Sequence, residues 1–295
     1  MRTLLSILCV FFLQGCTRID FWGEYDIDPG YPATYRKLNA REYNGLRDRF
    51  LRDKDCNFIT ALNEFGFCAW GEGSRSACQA VCTPFGRDQA ESLTETFIAK
   101  NLEFLGIRSL SLVKDITYKS FDQGTLCQGL DNVRWTATVG NQVVDGLEVL
   151  YTSIFLDMNH DGVTRATGNW FPVVTIPPQE RITYEQAKSL LMGRSFDFPC
   201  WSTIQIEITR NTQWGEPAKR KLVYPACSED AIRLHVVWVL KADMAEFLVD
   251  VMTGEVIASY LQVICYAPNR YINYPSSTPA GIPRVLEYKP YPTGV

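Results

Sequence analysis

Histidine is nearly absent. The 295-residue chain carries two, His160 and His235, far apart in sequence, which leaves little for a histidine-based metal centre. It also lacks a long apolar run. Residues 4–13, LLSILCVFFL, fall well short of the about 20 residues that a bilayer-spanning helix needs. Neither charge is in large excess, with 29 basic against 33 acidic residues and a formal net charge of −4, so no electrostatic case exists for nucleic acid or an anionic lipid surface. No Gly-x-Ser-x-Gly elbow and no glycine-rich phosphate loop occurs. His235 lies mid-strand among Leu234, Val236 and Val237 and reads as a packed residue, while His160 reads as part of an exposed turn. No carboxylate pair is singled out for glycoside chemistry. The expectation is a protein that is not an enzyme and needs no cofactor.

What the chain does have is an N-terminal signal and cysteine. Arg2 precedes the short apolar run, which reads as an export signal. The run ends at Leu13-Gln14-Gly15-Cys16, which resembles the lipobox of bacterial lipoproteins. That resemblance implies a diacylglyceryl group on the Cys16 sulfur, cleavage just before it, and acylation of the new amine. Two acyl chains suffice for stable anchoring. The implied location is the bacterial cell envelope, with the membrane as a partner through the N-terminal lipid. Thr17, in place of an aspartate retention signal, favours the outer membrane in a Gram-negative source.

The chain has ten cysteines. Cys9 leaves with the signal and Cys16 is the lipid site, so Cys56, Cys68, Cys78, Cys82, Cys127, Cys200, Cys227 and Cys265 remain. An even set behind an export signal favours disulfides. Cys78-x-x-x-Cys82 has no second close pair, which argues against a metal site. Bridges are expected within Cys56, Cys68, Cys78 and Cys82. If 204–210 and 221–224 form a hairpin, Cys200 and Cys227 flank its open end and could meet.

Apolar residues make up 46% of the chain, enough for a folded core. A signal over 1–15 leads into a cysteine-rich, largely irregular segment at 16–87. Within it Leu38, 41–46, Phe50 and Leu51 suit one amphipathic helix. Asp88 with Glu91 suggests a capping box for a second helix, whose stripe is Leu93, Phe97, Leu102 and Leu105 and whose stop is Gly106. Strands follow at 133–139 and within 147–156, then a turn at Asn159-His-Asp-Gly162 into 163–170. Pro177-Pro178 marks a boundary. Thr183-x-x-Gln186 is a second capping box, opening a helix with Ala187, Leu190 and Leu191 on one face. Further strands are expected at 204–210, 221–224, 232–240, 247–251 and 256–263. The expected class is α+β, with one helix-plus-antiparallel-sheet unit over 88–176 and another over 177–264. The tail at 265–295 holds Pro268, Pro275, Pro279, Pro283, Pro290 and Pro292, and reads as extended.

Asp157-x-Asn159-x-Asp161-Gly162 has the opening of a calcium loop, although its twelfth position is Gly168 rather than glutamate. A solvated hairpin turn is the better account, with Asp157, Asn159 and Asp161 as a weak calcium candidate. Trp135, Trp170, Trp201 and Trp238 fall in or beside strands and suit a core.

Two stretches resemble the propeptide of thermolysin-type metallopeptidases. Val133-Arg-Trp-Thr, Asp145-Gly-Leu-Glu-Val149, Phe155-Leu-Asp157 and Asp161-Gly-Val163 look like its first, FTP-type half. Thr183-Tyr-Glu-Gln-Ala187, His235-Val-Val-Trp-Val239 and Phe247-Leu-Val-Asp-Val-Met-Thr-Gly-Glu-Val256 look like a PepSY domain with cystatin-like architecture. The order of the two also matches. The sequence departs from the family in lacking the His-Glu-x-x-His helix of the peptidase, in a longer turn at 157–162, and in Glu148 where proline is usual. The resemblance implies a lipid-anchored, non-enzymatic protein that binds an exported protein, such as a secreted peptidase, as inhibitor or folding assistant in trans. The alternative is a structural or assembly lipoprotein with no peptidase partner. Surfaces around 135–139 and 236–240 are the expected partner faces.

Overall fold

Asn39 starts the first helix by a reciprocal cap. Its Oδ1 accepts from the amides of Arg41 and Glu42, both at 3.0 Å, while Glu42 Oε2 accepts from the Asn39 amide at 2.9 Å. These bonds belong to a computed structural model that describes residues 27–52, 61–66, 68–69, 82–102, 104–121, 127, 129–198, 203–215 and 220–262. The fold is α+β, with three α-helices and mostly antiparallel strands among the described residues. In chain order the elements before the first sheet are β1 (Ile27–Asp28), β2 (Ala33–Arg36), α1 (Ala40–Arg52), β3 (Ala61–Leu62) and β4 (Cys68–Ala69). The lipobox, Cys56, Cys78, Cys200, Cys265 and the proline-rich tail lie outside the described residues.

Helix α2 (Arg87–Lys100) packs on a four-stranded sheet of order β10-β9-β6-β5. Its strands are β5 (Thr117–Phe121), β6 (Arg134–Val139), β9 (Ser153–Asn159) and β10 (Gly162–Asn169). Ala90, Thr94 and Ile98, spaced by four, are the buried stripe of α2, flanked by the half-buried Leu93 and Phe97. They meet Ala137, Val139, Ile154, Leu156 and Met158 from the inner sheet face. Leu38 and Leu46 of the α1 region join this core, so the segment before residue 87 helps build it. The expected Asp88–Glu91 box does not form. Gly86 caps α2 without a side-chain bond, Asp88 sits in the first turn, and Glu91 pairs with Arg87 at 2.8 Å. The strands β9 and β10 are joined by a two-residue turn, His160-Asp161, as the turn chemistry predicts. At Gly168, φ is +141° and an added Cβ would lie 2.0 Å from the Ser153 carbonyl oxygen, so only glycine lets β10 lie this close to β9.

A two-stranded ribbon, β7 (Val143–Val144) with β8 (Leu147–Glu148), leads from β6 to β9. Beyond the first sheet, α3 (Tyr184–Leu191) opens with the predicted capping box: Gln186 N donates to Thr183 Oγ1 at 3.3 Å, and Thr183 N to Gln186 Oε1 at 2.8 Å. Its buried face is Tyr184, Ala187 and Leu191; Leu190, expected on that face, is 44% exposed.

The larger sheet has six strands, and β13 (Arg220–Cys227), β14 (Ala231–Ala242), β15 (Ala245–Asp250) and β16 (Val256–Leu261) form an antiparallel meander within it. One face, with Leu234, Val236, Trp238, Leu240, Phe247 and Val249, packs under α3 and a separate hairpin of β11 (Ser195–Phe198) and β12 (Ile204–Glu207). Trp238 Nε1 donates to the Ile182 carbonyl at 2.8 Å, which fixes the entry to α3. The remaining two strands come from the N-terminal side: β2 pairs with β14 and β1 with β2.

The cysteine pairing differs from the expectation in two places. Cys82 is bonded to Cys127, 45 residues away, rather than to a neighbour in the cluster of four. Cys227 carries a free thiol. The proposed hairpin of 204–210 with 221–224 is not formed, because β12 pairs with β11 and β13 with β14, so the geometry that would have brought Cys200 to Cys227 is absent.

Candidate functional site

Strand β14 is paired on one edge with β13 from Ile232 to Val239. Its other edge is shared. There β2 pairs with Ala231 to Leu234, and β15 pairs with Val237 to Ala242, so His235 and Val236 fall in the gap between two strands laid end to end. Tyr31, in the connection between β1 and β2, closes that gap with its hydroxyl. Tyr31 Oη accepts from the Val236 amide at 3.0 Å and donates to Asp250 Oδ2 at 2.7 Å.

Asp250, at the end of β15, is fully buried. Its Oδ2 also accepts from His235 Nδ1 at 2.8 Å. Its Oδ1 accepts from the amides of Met252 and Thr253, both at 2.8 Å, and from Thr253 Oγ1 at 3.2 Å. Burial alone would raise this carboxyl. The bonds from His235, Tyr31, Thr253 and Met252 outweigh it and hold the group down at about 2, so it is an anion at every physiological pH. Burial, and then the Asp250 carboxylate, push the Tyr31 phenol well above its ordinary range, so it stays a donor.

An aspartate that orients an imidazole is half of a hydrolytic triad. Here both carboxylate oxygens are fully used in holding a turn, an edge tyrosine and a histidine, and among the described residues no hydroxyl or thiol bonds to His235. The chemistry of the cluster is that of a structural lock: it joins β2, β14 and the β15–β16 turn. Sequence reasoning placed His235 and Asp250 on strands but did not connect them, and it missed Tyr31.

The outer face of the four-stranded sheet is polar. Lys119, Thr136, Asp157 and Arg165 stand opposite one another on successive strands, forming a row across the sheet. Asp157 Oδ2 accepts from Arg134 at 2.7 Å and Oδ1 from Thr136 Oγ1 at 2.8 Å. Asn159 Oδ1 accepts from the amides of Asp161 and Gly162 at 3.0 and 3.2 Å. The three calcium candidates are therefore not brought together: Asp157 is turned to its sheet neighbours, Asn159 caps the turn, and Asp161 lies beside His160 at 3.2 Å. The residues present do not fit a calcium ion.

At the end of that row, β5 is an edge strand, and among the described residues nothing pairs with its far side. Lys119 is exposed and lies over the Phe121 ring, 5.1 Å from its centroid, with no acidic partner among the described residues. Of the two expected partner faces, 236–240 is corrected: Val236, Val237, Trp238, Val239 and Leu240 are all buried, because both faces of β14 are covered. Around 135–139, Trp135, Ala137 and Val139 point into the core, while Arg134, Thr136 and Thr138 are half-exposed on the outer face. Cys68 lies in β4. Burial and the nearby Glu64 push the Cys227 thiol up to about 12, which makes it a poor nucleophile.

No helix among the described residues is long and apolar enough to cross a membrane. No protein-family model matches the chain, and no curated protein matches it. Among solved structures it is similar to the Bacillus megaterium YpeB C-terminal domain, at 13% identity over 77% of this chain and 98% of that one, with a TM-score of 0.28, a likeness too slight to bear on what the chain does.

Proposed function

We propose that the chain is a lipid-anchored, non-enzymatic protein of the bacterial cell envelope that binds an exported protein, with a secreted peptidase as the leading candidate. Anchoring rests on Leu13-Gln14-Gly15-Cys16 at the end of the short apolar run. In this reading α2 with its four-stranded sheet is the FTP-like unit and α3 with the larger sheet is the PepSY-like one, divided near Pro177-Pro178. Binding rests on a single observation: among the described residues nothing pairs with the outer side of β5, and such edges accept an extended segment of another protein by adding a strand. Lys119, exposed at the middle of that edge, favours an acidic residue opposite it.

The test is capture of the lipidated protein from its native envelope, beside a Lys119→Glu variant. One exported protein should accompany the wild type in stoichiometric amount and be largely lost from the variant. A wild type that retains no partner, or that hydrolyses a substrate itself, would contradict the reading.

A further inference from the structure

A cavity of about 220 Å³ opens between the chain just after α2 and the β7–β8 ribbon. Buried Trp170 and Phe171 form its floor. One wall comes from the stretch between Gly106 and Leu112, the other from Gln142 to Asp145; among the described residues none of β8 or β5 lines it. Both walls are fixed to the floor. Gln142 Nε2 donates to the Phe171 carbonyl at 2.8 Å, and its Oε1 accepts from the Phe171 amide at 3.0 Å. On the other side Gly106, at φ +77°, sits where an added Cβ would lie 2.2 Å from the Trp170 carbonyl oxygen. The rim is apolar and open, with Leu112 44% and Val143 56% exposed. Arg108 and Asp145 stand beside them, both exposed and neither in an ion pair among the described residues.

The β7 wall also carries unused main chain. The ribbon turns at Asp145-Gly146, both at positive φ, the two-residue turn that makes Val144 and Leu147 a hydrogen-bonded pair. Such pairs alternate along antiparallel strands, and Val149 N donates to the Gln142 carbonyl at 2.8 Å in the next bonded position. The Val143 amide and carbonyl between them therefore turn away from β8. Among the described residues no hydrogen bond reaches either.

We propose that this cavity receives one aliphatic side chain from an extended segment of another protein, whose main chain pairs with Val143 and whose flanking residues are acidic toward Arg108 and basic toward Asp145. Each feature selects part of that ligand. The free amide and carbonyl of Val143 match one residue of an added strand. The volume suits a single side chain, because pockets for free small molecules start at about 300 Å³. The apolar rim of Leu112 and Val143 favours an aliphatic one. The unpaired cation on one wall and the unpaired anion on the other set the charges of the flanks. Because Gln142 and Gly106 hold the walls in place, the segment meets a site that is already formed. The proposal does not rest on the β5 edge.

The test titrates the full-length protein in detergent with two blocked peptides, Lys-Thr-Leu-Thr-Glu and its reverse, followed by heteronuclear NMR of the backbone amides. The Val143 signal should shift and saturate with at least one of them, and replacing the peptide leucine by alanine should weaken that binding at least tenfold. Arg108→Glu should also weaken it at least tenfold, and exchanging the peptide glutamate for lysine should restore most of the loss. Arg108 is exposed, and rescue by the exchanged peptide separates lost charge pairing from a damaged fold. Lys119→Glu should leave this binding unchanged. A Val143 amide that does not move, an alanine peptide that binds equally well, or an Arg108→Glu variant that binds both peptides as the wild type does would overturn the proposal. So would binding lost in Lys119→Glu and kept in Arg108→Glu, which would put the peptide on β5.

Discussion

Tyr31 donates its hydroxyl proton to Asp250 across 219 residues of sequence, at 2.7 Å, and in the same position accepts the one β14 amide that neither β2 nor β15 reaches. One oxygen thus completes a sheet edge and stabilises a buried charge. Tyr31→Phe removes both bonds and leaves the Val236 amide and one lobe of the carboxylate unsatisfied. A loss of about 2–3 kcal/mol is expected, read as a lower urea midpoint at unchanged slope. A variant within about 0.5 kcal/mol of wild type would show that water replaces the hydroxyl.

The same carboxylate sets an acid limit. Asp250 is lowered from 3.8 to about 2, so the folded state binds its proton less readily than the unfolded one. Its contribution is fully present above pH 4 and is lost as the pH falls through about 2, for a total of about 2 kcal/mol. Tyr31 is shifted the other way, so its contribution is present below pH 10 and lost in stronger alkali. Urea titrations at stepped pH should show the acid loss in the wild type and a shallower one in Asp250→Asn; parallel curves would contradict this assignment.

Cys82–Cys127 closes a loop of 45 residues that contains α2 and β5. In the chain-entropy model such a bridge stabilises by about 4 kcal/mol, less any strain. Cys82→Ser should lower the melting temperature, and peptide mapping should recover this pair with Cys227 alkylatable once the protein is unfolded. Recovery of Cys82 with Cys56, Cys68 or Cys78 would refute the pairing.

Calcium should have no effect on the fold. Asp157 is occupied by Arg134 and Thr136, and Asn159 by two backbone amides. EDTA and added calcium should leave the melting temperature where it was. A drop with EDTA that calcium restores would mean that these bonds give way to the ion.

Much of this fold was legible in local patterns. The Thr183–Gln186 box, the His160-Asp161 turn and the apolar runs of β14 to β16 each have a short-range signature, and each was placed correctly. What escaped has long-range causes. Strand β2 is four residues long behind a proline, and only its pairing with β14 makes it a strand. Strand β5 alternates between exposed and half-exposed, so it shows no apolar period. The Cys82 partner lies 45 residues away, beyond the cluster that drew attention to it. The run from Val236 to Leu240 held a usable signal: unbroken apolar residues mark a strand buried on both faces, which rules it out as a partner surface.

The proposed membrane attachment rests on Cys16. Cys16→Ser should move the protein out of the membrane fraction or leave it as an uncleaved precursor. Unchanged fractionation with unchanged mass would reject the lipid anchor while leaving the β5 edge open to its own test.

The most direct test of the central claim is a photo-crosslinking residue placed at Lys119, on the free edge, and separately at Glu185 on the exposed side of α3, each in the lipidated protein within its native envelope. The account predicts one dominant adduct with an exported protein from position 119 and none of it from position 185. No adduct at 119, or the same adducts at both positions, would contradict it.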